Sequence, residues 1–252
     1  MIMKKLRRYG IIFLVLLMAL MSVPMAMADV KATIGDLDSL KKAFSTGGSY
    51  QLSANISVDC VLATSQDIEL DLNGHTISTS EDINIGDYAA KKSGKLTLSN
   101  TSKEEKGGIT FTLEPDYNNK IYGKRLNIYG NRDPKPTSEK EAVDSVLTIN
   151  SGVRISARGY YTVYLRGKGA TLNLDGGEII AAQTIGSAAI QGNGKADVEN
   201  KTGTYNEAGT IINIKSGKVA GGPVLDENKE GGVAIYHPQE GELNISGCVI
   251  TG

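Results

Sequence analysis

Asp175 and Glu178 stand three residues apart in the stretch LNLDGGEII, residues 172–180, a spacing that offers an acid pair. Two carboxylates held a few ångströms apart are the working parts of glycoside hydrolysis. A polysaccharide lyase would instead gather carboxylates around Ca2+, a hard cation that takes oxygen ligands, beside a basic residue. The chain tests the pair against itself, because LDLNGHTIS at 70–78 and LNISGCVIT at 243–251 repeat the same pattern. Across the copies Asp175 becomes Lys215 and Ser246, while Glu178 becomes Lys218 and Val249. The second motif position carries Asp71, Thr148, Asn173, Asn213 and Asn244, and the fourth carries Asn73, Asn150, Asp175, Lys215 and Ser246. No column holds neighbouring carboxylates, so no catalytic residue is assigned. The acids at Glu104, Glu105, Glu139, Glu141, Glu227 and Glu230 read as solvated loop charges. His75 and His237 fall in distant copies and read as exposed corner residues, so no metal site is expected. Nothing in the sequence points to a cofactor.

A different column keeps its chemical interest. In YTVYL (161–165), SAAIQ (187–191) and GVAIY (232–236), alternation turns Val163, Ile190 and Ile235 inward. Tyr164, Gln191 and Tyr236 then face outward on one side, with Tyr122 as a further member and Arg166 and Lys168 flanking Tyr164. Exposed aromatic rings are platforms for the apolar faces of sugars, and amides and cations bind hydroxyl or acid groups. Tyr122, Tyr164, Gln191, Tyr236, Arg166 and Lys168 therefore form the predicted binding strip. Its expected partner is a glycan, or a host or cell-wall surface.

The element that must position such a strip is the repeated motif. Two Leu or Ile residues alternate, a corner of Gly, Asn, Asp or Ser follows, and Ile or Val resumes. Alternation places the apolar pair on one face of a strand, and the corner residues tolerate positive φ. Copies start at Leu70, Leu96, Leu126, Leu147, Leu172, Ile212 and Leu243, spaced by 21 to 40 residues. A third short strand often precedes the motif, as in DINI at 82–85. No unit buries its apolar face alone, whereas stacked units do. Leucine-rich repeats need more regular spacing, and propellers need antiparallel hairpins at a longer period. The pattern predicts an all-β chain, a right-handed parallel β-helix, in which Asn173, Asn213 and Asn244 share amide hydrogen bonds.

Residues 29–48 depart from this pattern. Leu37, Leu40 and Phe44 recur at helical spacing, with Asp36 or Asp38 as N-cap and Gly47-Gly48 as the stop. One amphipathic helix here would cover the open edge of the stack. The β-helix is assigned to 49–252 and is expected to be incomplete at its C-terminal side, because a full-strength motif copy ends the sequence.

Residues 1–28 read as a secretory signal peptide. Lys4, Lys5, Arg7 and Arg8 precede an apolar run at 11–23, and Ala26-Met27-Ala28 offers cleavage before Asp29. Removing those four cations leaves 23 basic (27 − 4) against 28 acidic residues, a mature net charge of −5 (23 − 28). That balance argues against nucleic acid as partner, and no membrane association is expected after cleavage. Cys60 and Cys248 lie in different units and are expected to be separate thiols.

On GGSYQLSANISV (47–58), IELDLNGHTIS (68–78), the LNLDGGEI and INIKSGKV units, and AIYHPQEGELNISGCVITG (234–252), the chain resembles the pectate-lyase-like right-handed parallel β-helix superfamily. More narrowly, it resembles the secreted or surface β-helix proteins of gut Gram-positive bacteria. That resemblance implies a non-catalytic module for adhesion or carbohydrate binding, outside the cell and within a longer surface protein. It also allows a polysaccharide lyase, a glycoside hydrolase or a structural stalk.

Overall fold

The computed structural model describes residues 31–87, 89–115, 123–131, 143–181, 188–192, 209–222, 232–238 and 241–252. The predicted signal peptide and Tyr122 lie outside these, as do residues 132–142, 193–208 and 223–231. The described chain is mostly β, with one helix.

Three series of short strands recur. The first comprises β2 (Gly48–Leu52), β5 (Asp67–Asp71), β8 (Lys95–Ser99), β11 (Val146–Asn150), β14 (Thr171–Ala181), β16 (Ile211–Ala220) and β18 (Glu242–Ile245). The second comprises β3 (Ile56–Val58), β6 (Thr76–Thr79), β9 (Gly107–Phe111), β12 (Val153–Ala157), the later halves of β14 and β16, and β19 (Val249–Thr251). The third comprises β4 (Leu62–Thr64), β7 (Ile83–Ile85), β10 (Leu126–Tyr129), β13 (Tyr161–Arg166), β15 (Ala188–Gln191) and β17 (Val233–Tyr236), and it forms a sheet of its own. Each strand pairs in parallel with its counterpart one unit later, so identical positions stack directly.

The apolar columns follow from that register. Ile68, Leu96, Leu147, Leu172 and Ile212 stack in the first series. Ile77, Ile109, Ile155, Ile179 and Val219 stack in the second. Leu62, Ile83, Leu126, Val163 and Ile190 stack in the third. All fifteen are buried. In the last unit Leu243 is 41%, Ile245 46% and Val249 58% exposed, because no strand lies beyond them among the described residues. The same residue type is therefore core or surface according to its place in the stack.

Pairing corrects two sequence assignments. The first-series strand of the LDLNGHTIS unit begins its apolar pair at Ile68, not Leu70, since Ile68 pairs Leu96 and Leu70 pairs Leu98. Glu69 thus takes the second motif position, and Asp71 moves to the buried strand end. Ile68, Leu70 and Leu72 alternate over three positions, so local sequence allows either frame. Leu126 belongs to the third series, where it pairs Ile83 and Val163. The corner also differs between units. In β14 and β16 it is a bulge inside one long strand, with a register shift at Asp175. Gly176 sits there at φ 106°, a backbone setting that a side chain resists.

Before the first unit, β1 (Ala32–Ile34) pairs β2 and α1 (Leu37–Thr46) follows. Asp36 caps the helix: its carboxylate accepts from the Ser39 amide at 2.7 Å, while the Asp36 amide donates to the Ser39 hydroxyl. Gly47, at φ 72°, ends it. The helix buries Leu40, Ala43 and Phe44 and lies against β3 and β4, the first strands of their series.

Candidate functional site

The outward column of the third series is Asn84, Asn127, Tyr164, Gln191, Tyr236 in strict parallel register. Tyr164 and Tyr236 are half-buried, as is Arg166, and Lys168 is exposed. Gln191 departs from expectation, being 2% exposed. It lies between Tyr164 and Tyr236 on adjoining strands, and these larger neighbours flank it on both sides. Tyr122 lies outside the described residues. Lys168 follows β13 in an antiparallel bridge with Asn131, whose amide donates to the Lys168 carbonyl at 2.7 Å.

Around Tyr164 the structure gathers groups that the sequence reading missed. The Tyr160 and Tyr161 rings lie 6.0 Å apart, and the Tyr161 and Tyr164 rings 5.5 Å apart, both pairs tilted. The Arg125 guanidinium lies over Tyr161 at 5.5 Å and over Tyr164 at 5.2 Å. Arg166 lies over Tyr164 at 5.1 Å and over Tyr129 at 5.7 Å. Guanidinium groups thus alternate with phenol rings, an arrangement favoured by the negative ring face. Burial pushes the Tyr161 hydroxyl above its ordinary range, against the lowering effect of Arg125. It stays a neutral donor at physiological pH. The available signal was register: with Leu126 aligned to Val163, Arg125 and Tyr129 fall beside β13.

Glu178 and Asp175 are both engaged in ion pairs. Glu178 receives Arg154 Nε at 2.7 Å and also the Lys106 ammonium. Burial would raise its pKa, but those two cations together hold it below the ordinary value. Lys215 reaches Asp175 at 3.3 Å. The acid pair Asp175 and Glu178 is therefore split between two sets of cross-strand ion pairs.

Asp71 has a different environment. Its carboxylate accepts from the Thr101 hydroxyl at 2.7 Å, the Gln51 amide at 2.9 Å, and the Thr101 and Asn73 backbone N–H groups, each at 3.0 Å. It ties three successive strand ends together. His75 and His237 are both half-buried rather than exposed, and burial lowers the His237 pKa. Cys60 and Cys248 are half-buried free thiols. Among the described residues no cluster of three His, Cys, Asp or Glu side chains is placed to hold a metal ion.

The Asn column forms as expected. Asn244 Nδ2 donates to Asn213 Oδ1 at 2.9 Å, Asn213 Nδ2 to Asn173 Oδ1 at 3.0 Å, and Asn173 Nδ2 to Thr148 Oγ1 at 3.4 Å. These residues bond to one another, which identifies a structural ladder.

Comparison with protein-family models, curated proteins and solved structures finds no match.

Proposed function

We propose that the chain is a secreted or cell-surface, non-catalytic β-helix module that binds carbohydrate, serving adhesion as part of a longer surface protein. The fold in this reading is a right-handed parallel β-helix, as in the pectate-lyase-like proteins it resembles. Three strand series that each pair in parallel one unit apart support it, and so does the strong right-handed preference of parallel crossovers. The N-terminal basic and apolar pattern supports export, with the mature chain starting near Asp29.

The observation that carries the binding reading is the cluster of Tyr160, Tyr161 and Tyr164 with Arg125 and Arg166 on the sheet formed by the third strand series. Rings fixed by cation stacking lose little conformational freedom on binding, which favours recognition of flat, weakly apolar sugar faces. Retention of the mature chain on a polysaccharide array, with Tyr164→Ala weakening the strongest signal about tenfold, is the expected result. Equal retention of wild type and Tyr164→Ala would remove the site. No retention on any polysaccharide would remove the reading.

A further inference from the structure

We infer that the last unit of the stack is a self-association face: two copies of this chain join end to end through β18, antiparallel about a two-fold axis at Asn244. The contact does not depend on the carbohydrate reading above. The two ends of the stack differ. At the first, α1 lies against β3 and β4 and leaves Asp38, Lys41 and Lys42 exposed. At the last, Val233, Leu243, Ile245, Val249 and Ile250 are each at least 41% exposed, and Glu242 is the one charged residue in β17, β18 and β19. A head-to-tail contact would set this apolar end against the charged outer face of α1. Joining like ends instead gives a closed pair, with the same surface used by both copies.

β18 supplies the pairing edge. The Glu242 and Ser246 N–H groups donate to the Thr210 and Ile214 carbonyls of the preceding unit, at 2.9 Å each. Alternation along the strand therefore directs the N–H and C=O groups of Leu243 and Ile245 away from β16, to an edge with no strand beyond it among the described residues. A two-fold axis normal to this sheet at Asn244 reverses the strand and keeps its inward face inward. Leu243 then lies opposite the partner's Ile245, an antiparallel hydrogen-bonded pair on each side of the axis, and the backbone groups left over on both residues are used. Asn244 falls on the axis in the closer, non-hydrogen-bonded kind of pair. In the ladder below it, the Oδ1 of Asn173 and of Asn213 each accepts from the next unit. Asn244 Nδ2 donates to Asn213, and among the described residues no donor reaches its Oδ1. The second N–H of the partner's Asn244 continues the ladder across the joint, reciprocally. Glu242 falls opposite the partner's Ser246, a position that in each copy stacks on Lys215, whose side chain is 69% exposed. The one charge of the end strands thus meets a cation rather than its own copy.

The contact is small, so association is weak and reversible. Light scattering on the mature chain should give twice the chain mass at about 200 µM and fall towards the monomer at about 1 µM. Ile245→Lys, at an exposed position, should leave the fold intact by circular dichroism and raise the dissociation constant at least about tenfold. Register is read by oxidative cross-linking in a Cys60→Ser, Cys248→Ser background. Asn244→Cys sets two thiols across the axis, within disulfide reach, and should trap the dimer. Glu242→Cys sets them about 13 Å apart and should not. A monomer at about 200 µM, an open-ended series of larger species, an unchanged mass in folded Ile245→Lys, or equal cross-linking from both positions overturns the proposal. If Ile245→Lys or the cysteine background does not fold, the wild-type mass against concentration and the variant that does fold decide the matter.

Discussion

Asp71 shows how one carboxylate can be structural while resembling a site. Burial opposes its charge, yet hydrogen bonds from Thr101, Gln51 and Asn73 outweigh burial and hold its pKa at about 2. A folded pKa below the unfolded value gives stability that is complete above about pH 4 and is lost as pH falls from about 4 towards 2. The contribution at neutral pH is about 2 kcal/mol. Urea unfolding of Asp71→Asn should show a loss of about that size at neutral pH and a smaller gap near pH 2. An equal gap at both pH values would deny Asp71 this role. Its burial was not legible in the sequence, because three alternating apolar residues fit two frames and only the pairing with Leu96 and Leu98 selects one.

At the scale of the element, position in the stack decides energetics. Leu172 and Leu243 occupy the same column, separated by Ile212, but the first is fully buried and the second is 41% exposed. Leu172→Ala should cost about 3 kcal/mol and Leu243→Ala under about 1 kcal/mol, a contrast that paired denaturant melts measure. Asn213 both donates and accepts in its ladder. Its replacement by Ala should cost about 1–2 kcal/mol in the same melts and leave carbohydrate binding unchanged. Helix α1 was legible from Leu37, Leu40, Phe44 and the Gly stop, since helical spacing and caps are local signals. The ladder was legible because like residues recur at one motif position. β10 was not, since LNIY at 126–129 carries first-series alternation while pairing with third-series neighbours. That slip hid Arg125 and Tyr129. Parallel pairing between distant segments is a tertiary fact that a local pattern does not encode.

At the scale of the molecule, repetition and variation divide the work. Buried Leu, Ile and Val columns make successive units interchangeable to the core. The outward column is free to vary, and it runs from Asn84 and Asn127 to Tyr164, Gln191 and Tyr236. Aromatic and cationic side chains concentrate where β10 meets β13, and there the chain departs from its own repeat. The sequence has 11 Tyr and no Trp, so its intrinsic emission comes from tyrosine. The decisive measurement is tyrosine emission of the mature chain titrated with the polysaccharide it retains most strongly. The account predicts a saturable change that Tyr164→Ala reduces sharply and Asn213→Ala leaves intact. A saturable change that persists undiminished in Tyr164→Ala, or no change at all, would contradict it.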